Sequence, residues 1–241
     1  MRRVWLVVLL VLAACGTGDD DAAITVLAAS SLTEAMTEIG AAFEEAEGVE
    51  VTLSFGGSSS LAEQANQGAP ADVIVTADRA SLAKVDDAGE PTDVARNRLA
   101  IIVEPGNPKR ITGLADLARD DVVLVLCAPE VPCGRFGALA LEKAGVVVTP
   151  ASLEEKVKGV VSKVTLGEAD AGLVYVTDVE AAGDDAAGVD IDVAADRELE
   201  AVYSMAVLGQ SEHAALAAEF IGFVAGAEGR RVLAAHGFLA P

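Results

Sequence analysis

The stretch that decides the fold runs from Ile24 to Phe43 and reads ITVLAASSLTEAMTEIGAAF. Its first residues, Ile24–Ala28, form a short apolar run typical of a buried β-strand. Two serines follow, and apolar residues then recur at the three-to-four spacing of one helix face. Those residues are Leu32, Met36, Ile39 and Phe43. A strand that passes through a polar loop into a helix is the repeating unit of α/β folds.

The same order recurs twice more before residue 100. Val49–Phe55 alternates apolar and polar residues as a strand does, Gly56–Ser60 interrupts it, and Leu61–Asn66 follows as a predicted helix. A third strand, Val73–Val75, precedes a predicted helix over Ser81–Ala88. Repeated strand–helix units predict a parallel sheet with crossover helices.

A second series begins after the Pro- and Gly-rich break at Glu104–Pro108, which follows a strand at Leu99–Val103. It predicts strands at Val122–Leu126, Leu173–Val176 and Val202–Leu208, helices at Phe136–Lys143, Leu153–Val161, Leu216–Val224 and Gly229–Ala235, and a surface loop at Gly183–Asp192. We therefore expect an α/β protein of two lobes, each a mostly parallel sheet flanked by helices. Lobe I would comprise residues 24–103 plus 204–241, and lobe II residues 104–203.

The N-terminus has the pattern of an export signal. Met1-Arg2-Arg3 precedes an apolar run, Val4–Ala14, which is too short to span a bilayer as a helix, because a span needs about 20 residues. The run ends in Leu12-Ala13-Ala14-Cys15, which resembles the lipobox of bacterial lipoproteins. Residues 1–14 are thus predicted to be a signal peptide, Cys15 a lipid anchor and residues 15–23 a tether. The alternative is an ordinary signal peptide with a coincidental cysteine.

Composition excludes several classes of function. The 241 residues carry 17 Lys plus Arg against 38 Asp plus Glu, a formal net charge of −21. Nucleic-acid binding requires clustered Lys and Arg, and adhesion to an anionic membrane requires a basic face. We therefore expect this acidic chain to do neither. With only 3 cysteines and 2 histidines, we expect no site for a bare metal cation.

Small polar residues collect where predicted strands end and helices begin. Ser30-Ser31 and Ser58-Ser59-Ser60 both stand directly before a helix, whose first N–H groups are unpaired and carry about half a positive charge. No Lys or Arg occurs between Asp19 and Ala77. An anion bound here would be held by neutral donors, which favours an oxyanion that offers only acceptors. The alternative is that these serines only cap their helices.

The second half offers further candidates. Pro132-Cys133-Gly134 precedes a predicted helix, so backbone N–H groups there could face a ligand, and Tyr175 ends a strand with a phenolic donor. Tyr175 could equally be a core residue. Cys127 and Cys133 would form a disulfide in an exported protein, or remain as two buried thiols.

An exported serine esterase is the alternative from a different class. Gly56–Ser60 half-matches the G-x-S-x-G elbow but lacks its last glycine. A hydrolase also needs a histidine base beside the serine, whereas His213 and His236 lie on predicted helix surfaces near the C-terminus. We therefore expect no enzymatic activity.

Several segments resemble the periplasmic molybdate-binding proteins. They are AASSLTEAM at Ala28–Met36, SFGGSSSLA at Ser54–Ala62, GAPADVIVTAD at Gly68–Asp78, PEVPCG at Pro129–Gly134, GLVY at Gly172–Tyr175 and the ending Arg230–Phe238. Each motif alone is unspecific, but the combination covers nearly all of the chain after residue 24.

The resemblance implies a two-lobed periplasmic binding protein of type II topology. Such a protein captures molybdate or tungstate between its lobes, as ligand and without a cofactor, for the permease of an ABC importer. It would be a monomer outside the cytoplasmic membrane, on the periplasmic or cell-wall side, and would touch the membrane only through its lipid. A protein for sulfate or another small tetrahedral oxyanion is the closer alternative.

The resemblance also implies which groups bind the ligand. They are the hydroxyls of Ser31, Ser58 and Tyr175 and the backbone N–H groups of Cys133 and Val157. Ser30 and Ser59 are possible additional ligands. The segment around Val157 is only loosely similar to the family pattern.

Overall fold

The computed structural model describes residues 23–191 and 196–241. The predicted signal peptide, the lipid-anchor residue Cys15 and all of the tether except Ala23 lie outside these residues. Within them, no helix combines the length and apolar character that crossing a membrane requires.

Ten strands and eight α-helices are formed by the described residues. The strands are β1 (Ala23–Ala29), β2 (Glu50–Gly56), β3 (Val73–Thr76), β4 (Thr92–Asn97), β5 (Leu99–Val103), β6 (Leu124–Cys127), β7 (Ser152–Glu154), β8 (Ala171–Tyr175), β9 (Ala187–Val189) and β10 (Ala201–Val207). The helices are α1 (Thr33–Glu47), α2 (Ser58–Asn66), α3 (Arg79–Leu82), α4 (Pro132–Ala144), α5 (Val157–Thr165), α6 (Val176–Ala182), α7 (Ala214–Ala225) and α8 (Ala227–Ala235). Single 3₁₀ turns lie at Ser30–Leu32, Leu114–Ala118, Gly183–Asp185 and Arg197–Leu199.

The strands form two sheets of the same design. The first has the order β2-β1-β3-β10-β4 and the second the order β7-β6-β8-β5-β9. In each, the fourth strand, β10 or β5, is antiparallel to both of its neighbours, and the remaining pairs are parallel. The prediction of two α/β lobes with mostly parallel sheets is confirmed. We call the first sheet and its helices lobe I, and the second sheet and its helices lobe II.

The chain changes sheet earlier than predicted. Leu99–Val103 was expected at the end of lobe I, but this strand pairs with β8 and β9 in the second sheet. The chain therefore leaves lobe I at Arg98, between β4 and β5. It returns at β10, which begins at Ala201, slightly before the predicted boundary at 203. The reason is that β5 is buried on both faces by lobe II, which its apolar sequence permits but does not specify.

Other elements also differ from the sequence predictions, and the helix α6 was not predicted. The strand Thr92–Asn97 was missed because its polar residues are paired: Asp93 accepts from Ser204 and Arg96 donates to Glu200. The predicted helix Leu153–Val161 is instead the edge strand β7 followed by α5. The predicted surface loop Gly183–Asp192 contains β9, and the predicted helix Ser81–Ala88 is the single turn α3.

Aromatic residues link the core of lobe I to the crossing between lobes. The Phe43 ring packs edge-on against Phe220 at a centroid distance of 5.1 Å. Tyr203 on β10 packs in the same way against Phe238 at 5.3 Å and against Tyr175 of lobe II at 6.3 Å. Both tyrosines are buried, so the two lobes are in direct contact near the place where the chain crosses.

Candidate ligand-binding site

A small cavity of about 20 Å³ lies between the lobes. One water molecule needs on the order of 10–15 Å³, so this cavity suits a small ion and excludes a large organic ligand. Its wall contains Ala29, Ser30, Ser31, Gly56, Gly57, Ser58 and Ala77 from lobe I, and Val131, Pro132, Cys133, Lys156, Val157 and Tyr175 from lobe II.

The cavity lies where several helices begin. Ser31 is in the turn between β1 and α1, Ser58 is the first residue of α2, and Cys133 and Val157 lie in the first turns of α4 and α5. Tyr175 ends β8 directly before α6. The first N–H groups of a helix lack intrahelical partners and form its positive end. The structure thus brings the five principal predicted residues to one cavity with an anion-attracting wall.

Two of the hydroxyls in this wall have a proton that can be given to a ligand. The Ser58 oxygen accepts the Ala77 N–H at 3.0 Å, which leaves its own proton free. The Tyr175 oxygen is buried and has no hydrogen-bond partner among the described residues. Burial raises the pKa of Tyr175 well above its usual value, so the phenol stays protonated. An unpaired buried hydroxyl costs free energy unless a ligand accepts from it.

Ser30 and Ser59, the possible additional ligands, differ in their position relative to the cavity. Ser30 lines the cavity. Ser59 is not one of the described residues in the cavity wall, and its hydroxyl donates across the lobes to the Glu130 carbonyl at 2.6 Å. Its proton is therefore used in a contact between lobes, so Ser59 does not fit the role of a ligand donor.

Lys156 and Tyr203 were not predicted at this site. Lys156 stands directly before Val157 and lines the cavity, although the residue as a whole is exposed. Tyr203 lies behind the wall, where its hydroxyl is 2.8 Å from the Ser31 oxygen. The position of Lys156 next to Val157 is a signal that sequence reasoning could have used, whereas no local motif marks Tyr203.

Cys127 and Cys133 are joined by a disulfide with a Cα–Cα distance of 5.7 Å. The bond ties the end of β6 to the first turn of α4, and both cysteines are buried. It therefore restrains the backbone that presents the Cys133 N–H to the cavity.

The lobes touch across the cleft. A Cβ atom built on Gly57 would stand 2.2 Å from the Glu155 carbonyl oxygen of lobe II, so only glycine permits this approach. Arg135 of α4 pairs with the Asp78 carboxylate of lobe I and donates to the Ser81 hydroxyl at 2.9 Å. These contacts hold the two lobes together beside the cavity.

A second ionic group closes the cleft at α5. Lys158 donates to Glu34 of α1 at 2.8 Å and lies 3.6 Å from Asp178. Asp178 is fully buried and accepts the Tyr175 N–H at 3.2 Å. Its burial raises its pKa from 3.8 to about 6, although the Lys158 charge opposes the shift.

The geometry gives Ser58 no histidine base. His236 pairs with Glu38 at 2.9 Å, and His213 directly precedes α7. Neither histidine belongs to the wall that the described residues form around the cavity. The described wall offers hydrogen-bond donors to an anion.

A family model described as "Bacterial extracellular solute-binding protein" matches residues 24–239 of this chain. The match spans both lobes and every residue of the cavity wall.

The chain is also similar to individual binding proteins and to their structures. The "Molybdate-binding protein ModA" of Mycobacterium tuberculosis is 42% identical over 223 residues, which cover 90% of this chain and 85% of that protein. The structure is similar to the periplasmic molybdate-binding protein of Azotobacter vinelandii (TM-score 0.76, 21% identity, 90% of this chain and 99% of that chain). It is also similar to the sulfate-binding protein SubI of M. tuberculosis (TM-score 0.74, 19% identity, 90% and 86%).

Proposed function

The chain belongs to the bacterial extracellular solute-binding proteins, and on that premise we propose that it captures molybdate, and tungstate, between its lobes. It then delivers the ion to the permease of an ABC importer. The 42% identity to a molybdate-binding protein supports the choice of ligand. The curated relatives are solute-binding proteins, and we assign this chain no catalytic activity.

The observation that carries the proposal is the buried hydroxyl of Tyr175 in the cavity wall, which has no hydrogen-bond partner in the described part of the chain. A tetrahedral dianion supplies the acceptor that this buried group lacks. The hydroxyls of Ser31 and Ser58 and the N–H groups of Cys133 and Val157 complete a set of neutral donors around the ion. A hydrogen bond to a charged group contributes about 1.5–3 kcal/mol, so five of them support tight binding after the cost of closure.

The acidity of the protein is compatible with binding a dianion. At physiological ionic strength, charges more than about 8 Å apart in solvent are largely screened. Dipoles that surround an ion in a closed, low-dielectric cavity act at contact distance and are not screened in this way. The positive ends of helices therefore dominate the energy of the bound ion, and the surface carboxylates do not.

The donor set favours an oxyanion without protons. The hydroxyls and N–H groups assigned to the ligand can all donate to an unprotonated oxyanion, whereas hydrogen phosphate would need one of the hydroxyl oxygens to turn and accept its proton. Sulfate is the second candidate, because it offers the same acceptor-only surface. Ion size then separates sulfate from the larger molybdate and tungstate.

We further propose that lipidated Cys15 anchors the protein, as a monomer, to the outer face of the cell membrane. The support is the sequence that ends in Leu12-Ala13-Ala14-Cys15. Mass spectrometry of the mature N-terminus tests this part. A diacylated Cys15 is expected, and an unmodified N-terminus at another residue would contradict it.

A calorimetric panel with molybdate, tungstate, sulfate and phosphate tests the ligand. We expect tight binding of molybdate and tungstate, weaker binding of sulfate and none of phosphate. Binding of sulfate with no binding of molybdate would reassign the protein to its second candidate function.

A further inference from the structure

A buried hydrogen-bond chain connects the crossing between lobes to the cavity. The Ser31 and Tyr203 hydroxyl oxygens are 2.8 Å apart, and the Tyr203 oxygen is 3.5 Å from the Asn97 side-chain nitrogen. Ser31, Tyr203 and Asn97 are 4%, 0% and 1% exposed. Only Ser31 of the three lines the cavity, so the Tyr203 hydroxyl and the Asn97 amide reach a ligand through the Ser31 hydroxyl.

The neighbours of Asn97 fix its orientation. Its side-chain oxygen accepts the Arg98 N–H at 2.9 Å, so its nitrogen faces the other way. That nitrogen donates to the Thr177 hydroxyl at 2.8 Å and faces Tyr203. An amide nitrogen can donate but cannot accept. The Tyr203 proton therefore has no acceptor at Asn97.

Among the described residues, the Tyr203 proton is left with one acceptor, the Ser31 oxygen. Burial raises the pKa of the Tyr203 phenol, so the phenol keeps its proton at neutral pH. If Ser31 donated to Tyr203 instead, the tyrosine proton would be buried without a partner, which costs about 1–3 kcal/mol. The direction of the chain is thus Asn97 to Tyr203 to Ser31.

We propose that Tyr203 is a positioning residue that donates to Ser31 and thereby makes Ser31 donate its own proton into the cavity. The proposal rests on the proposed function, because the acceptor of that proton is the bound oxyanion. It assigns a role in ligand binding to a residue that touches no ligand.

The same chain fixes where Ser31 sends its proton. A serine hydroxyl is ordinarily both donor and acceptor and can turn its proton toward either kind of partner. The hydrogen bond from Tyr203 uses one lone pair of the Ser31 oxygen and keeps the Ser31 proton away from Tyr203, so that this proton is available to the ligand. Loss of the Tyr203 hydroxyl should therefore weaken molybdate binding.

Tyr203→Phe removes the hydroxyl and keeps the ring that packs against Tyr175 and Phe238. We would measure the molybdate affinity calorimetrically for the wild type, Tyr203→Phe, Ser31→Ala and the double variant. Tyr203→Phe should weaken molybdate binding about tenfold, which corresponds to the free energy of about one hydrogen bond. In the Ser31→Ala background it should weaken binding less than about twofold, because the tyrosine acts only through Ser31.

The possible outcomes are distinct. Equal losses from Tyr203→Phe in both backgrounds would show a packing role and overturn the proposal, as would an unchanged affinity in the single variant. A wild-type protein that binds none of the tetrahedral oxyanions would overturn the proposed function, whereas wild-type binding with additive losses would overturn the positioning role alone.

Discussion

Ser58 and Ser60 stand two residues apart on α2, but only Ser58 lines the cavity. Ser58 is buried, and its oxygen already accepts the Ala77 N–H, so its proton is available to a ligand. Ser60 is exposed and accepts from Gln64 at 3.1 Å. Ser58 is therefore positioned to donate to the ion, whereas Ser60 faces solvent.

Ser58→Ala should weaken molybdate binding by about 1.5–3 kcal/mol, because one charge-assisted hydrogen bond is lost. Titration calorimetry measures the change, with Ser60→Ala as the matched control that leaves affinity unaltered. If both variants bind like the wild type, Ser58 is not a ligand. Ligand-free Ser60→Ala should unfold at the temperature of the wild type, whereas ligand-free Ser58→Ala should unfold at a lower temperature, because the buried Ala77 N–H loses its acceptor.

Sequence reasoning reached Ser31 and Ser58 because each directly precedes a predicted helix, where an unpaired N–H is certain to occur. It did not reach Tyr203, which is distant from Ser31 in sequence and becomes its neighbour only when β10 inserts next to β3. The role of Ser59 was equally inaccessible, because the Glu130 carbonyl that accepts its proton belongs to the other lobe.

At the scale of elements, the loop before α2 sets how closely the lobes approach. Gly57 has φ −69° and ψ 134°, which any residue can adopt, so an added methyl does not strain lobe I. The methyl would instead meet the Glu155 carbonyl of lobe II. The closed cleft, and not the fold of the lobe, requires glycine here.

Gly57→Ala should lower molybdate affinity by about 1–3 kcal/mol, the usual cost of overpacking. The melting temperature without ligand should hardly change. Gly222→Ala on α7 is the control, because nothing lies within 4 Å of its added Cβ. Wild-type affinity in Gly57→Ala would mean that the lobes need not approach this closely to hold the ion.

The start of α6 predicts a pH dependence of stability. Asp178 ionises near 3.8 in the unfolded chain but at about 6 in the folded protein, because it is buried. Between these values the folded state binds more protons than the unfolded state, so stability falls as pH rises through this window. The loss at neutral pH is about 3 kcal/mol.

Asp178→Asn keeps an oxygen for the Tyr175 N–H and removes the buried charge. The variant should be more stable than the wild type at neutral pH, and the difference should shrink toward about pH 4. Urea unfolding of the ligand-free wild type and variant between about pH 4 and neutral pH measures this difference in stability. A variant that is less stable at neutral pH would show that the ion pair with Lys158 outweighs the cost of burial.

Helices and strands with clear apolar periodicity could be predicted from the sequence, whereas elements with weak periodicity could not. β1, β2 and α1 carry clear apolar periodicity, and their predicted bounds agree closely with the structure. β4 contains Asp93 and Arg96, whose partners come from β10 and the segment before it. β7 and β9 have three residues each, too few to show a period.

For the molecule as a whole, two antiparallel strands mark the places where the chain passes between sheets. β5 enters the second sheet directly after the first crossing, and β10 enters the first sheet directly after the return. Apolar strands of this kind fit either sheet, so the sequence predicts two lobes but not the residue at which one becomes the other. Rotation about these short crossings would open the cleft.

Closure of the whole molecule should depend on Arg135. Its guanidinium reaches from lobe II to Asp78, whose side chain is only 8% exposed. Arg135→Gln should destabilise the closed form and release molybdate about tenfold faster, since a hydrogen bond to a charged group is worth about 1.5–3 kcal/mol. Stopped-flow tyrosine fluorescence measures the rate, because the one tryptophan, Trp5, lies in the predicted signal peptide.

Arg79→Gln is the control for this variant. Arg79 pairs with Asp93 within lobe I, and its side chain is 68% exposed. Its loss should leave the dissociation rate unaltered, since exposed pairs contribute little and this one does not span the cleft. An equally faster dissociation of molybdate from both variants would indicate a general effect of charge and not a contact that holds the lobes together.

The central claim is that neutral donors at helix starts hold a tetrahedral dianion between the lobes. A crystal structure of the molybdate complex, with anomalous diffraction at the molybdenum edge, tests it most directly. We predict one molybdenum peak in the cavity, with oxygens within hydrogen-bonding distance of the Ser31, Ser58 and Tyr175 hydroxyls. A peak outside the cleft, or an ion held by the ammonium group of Lys156 or Lys158, would contradict the account.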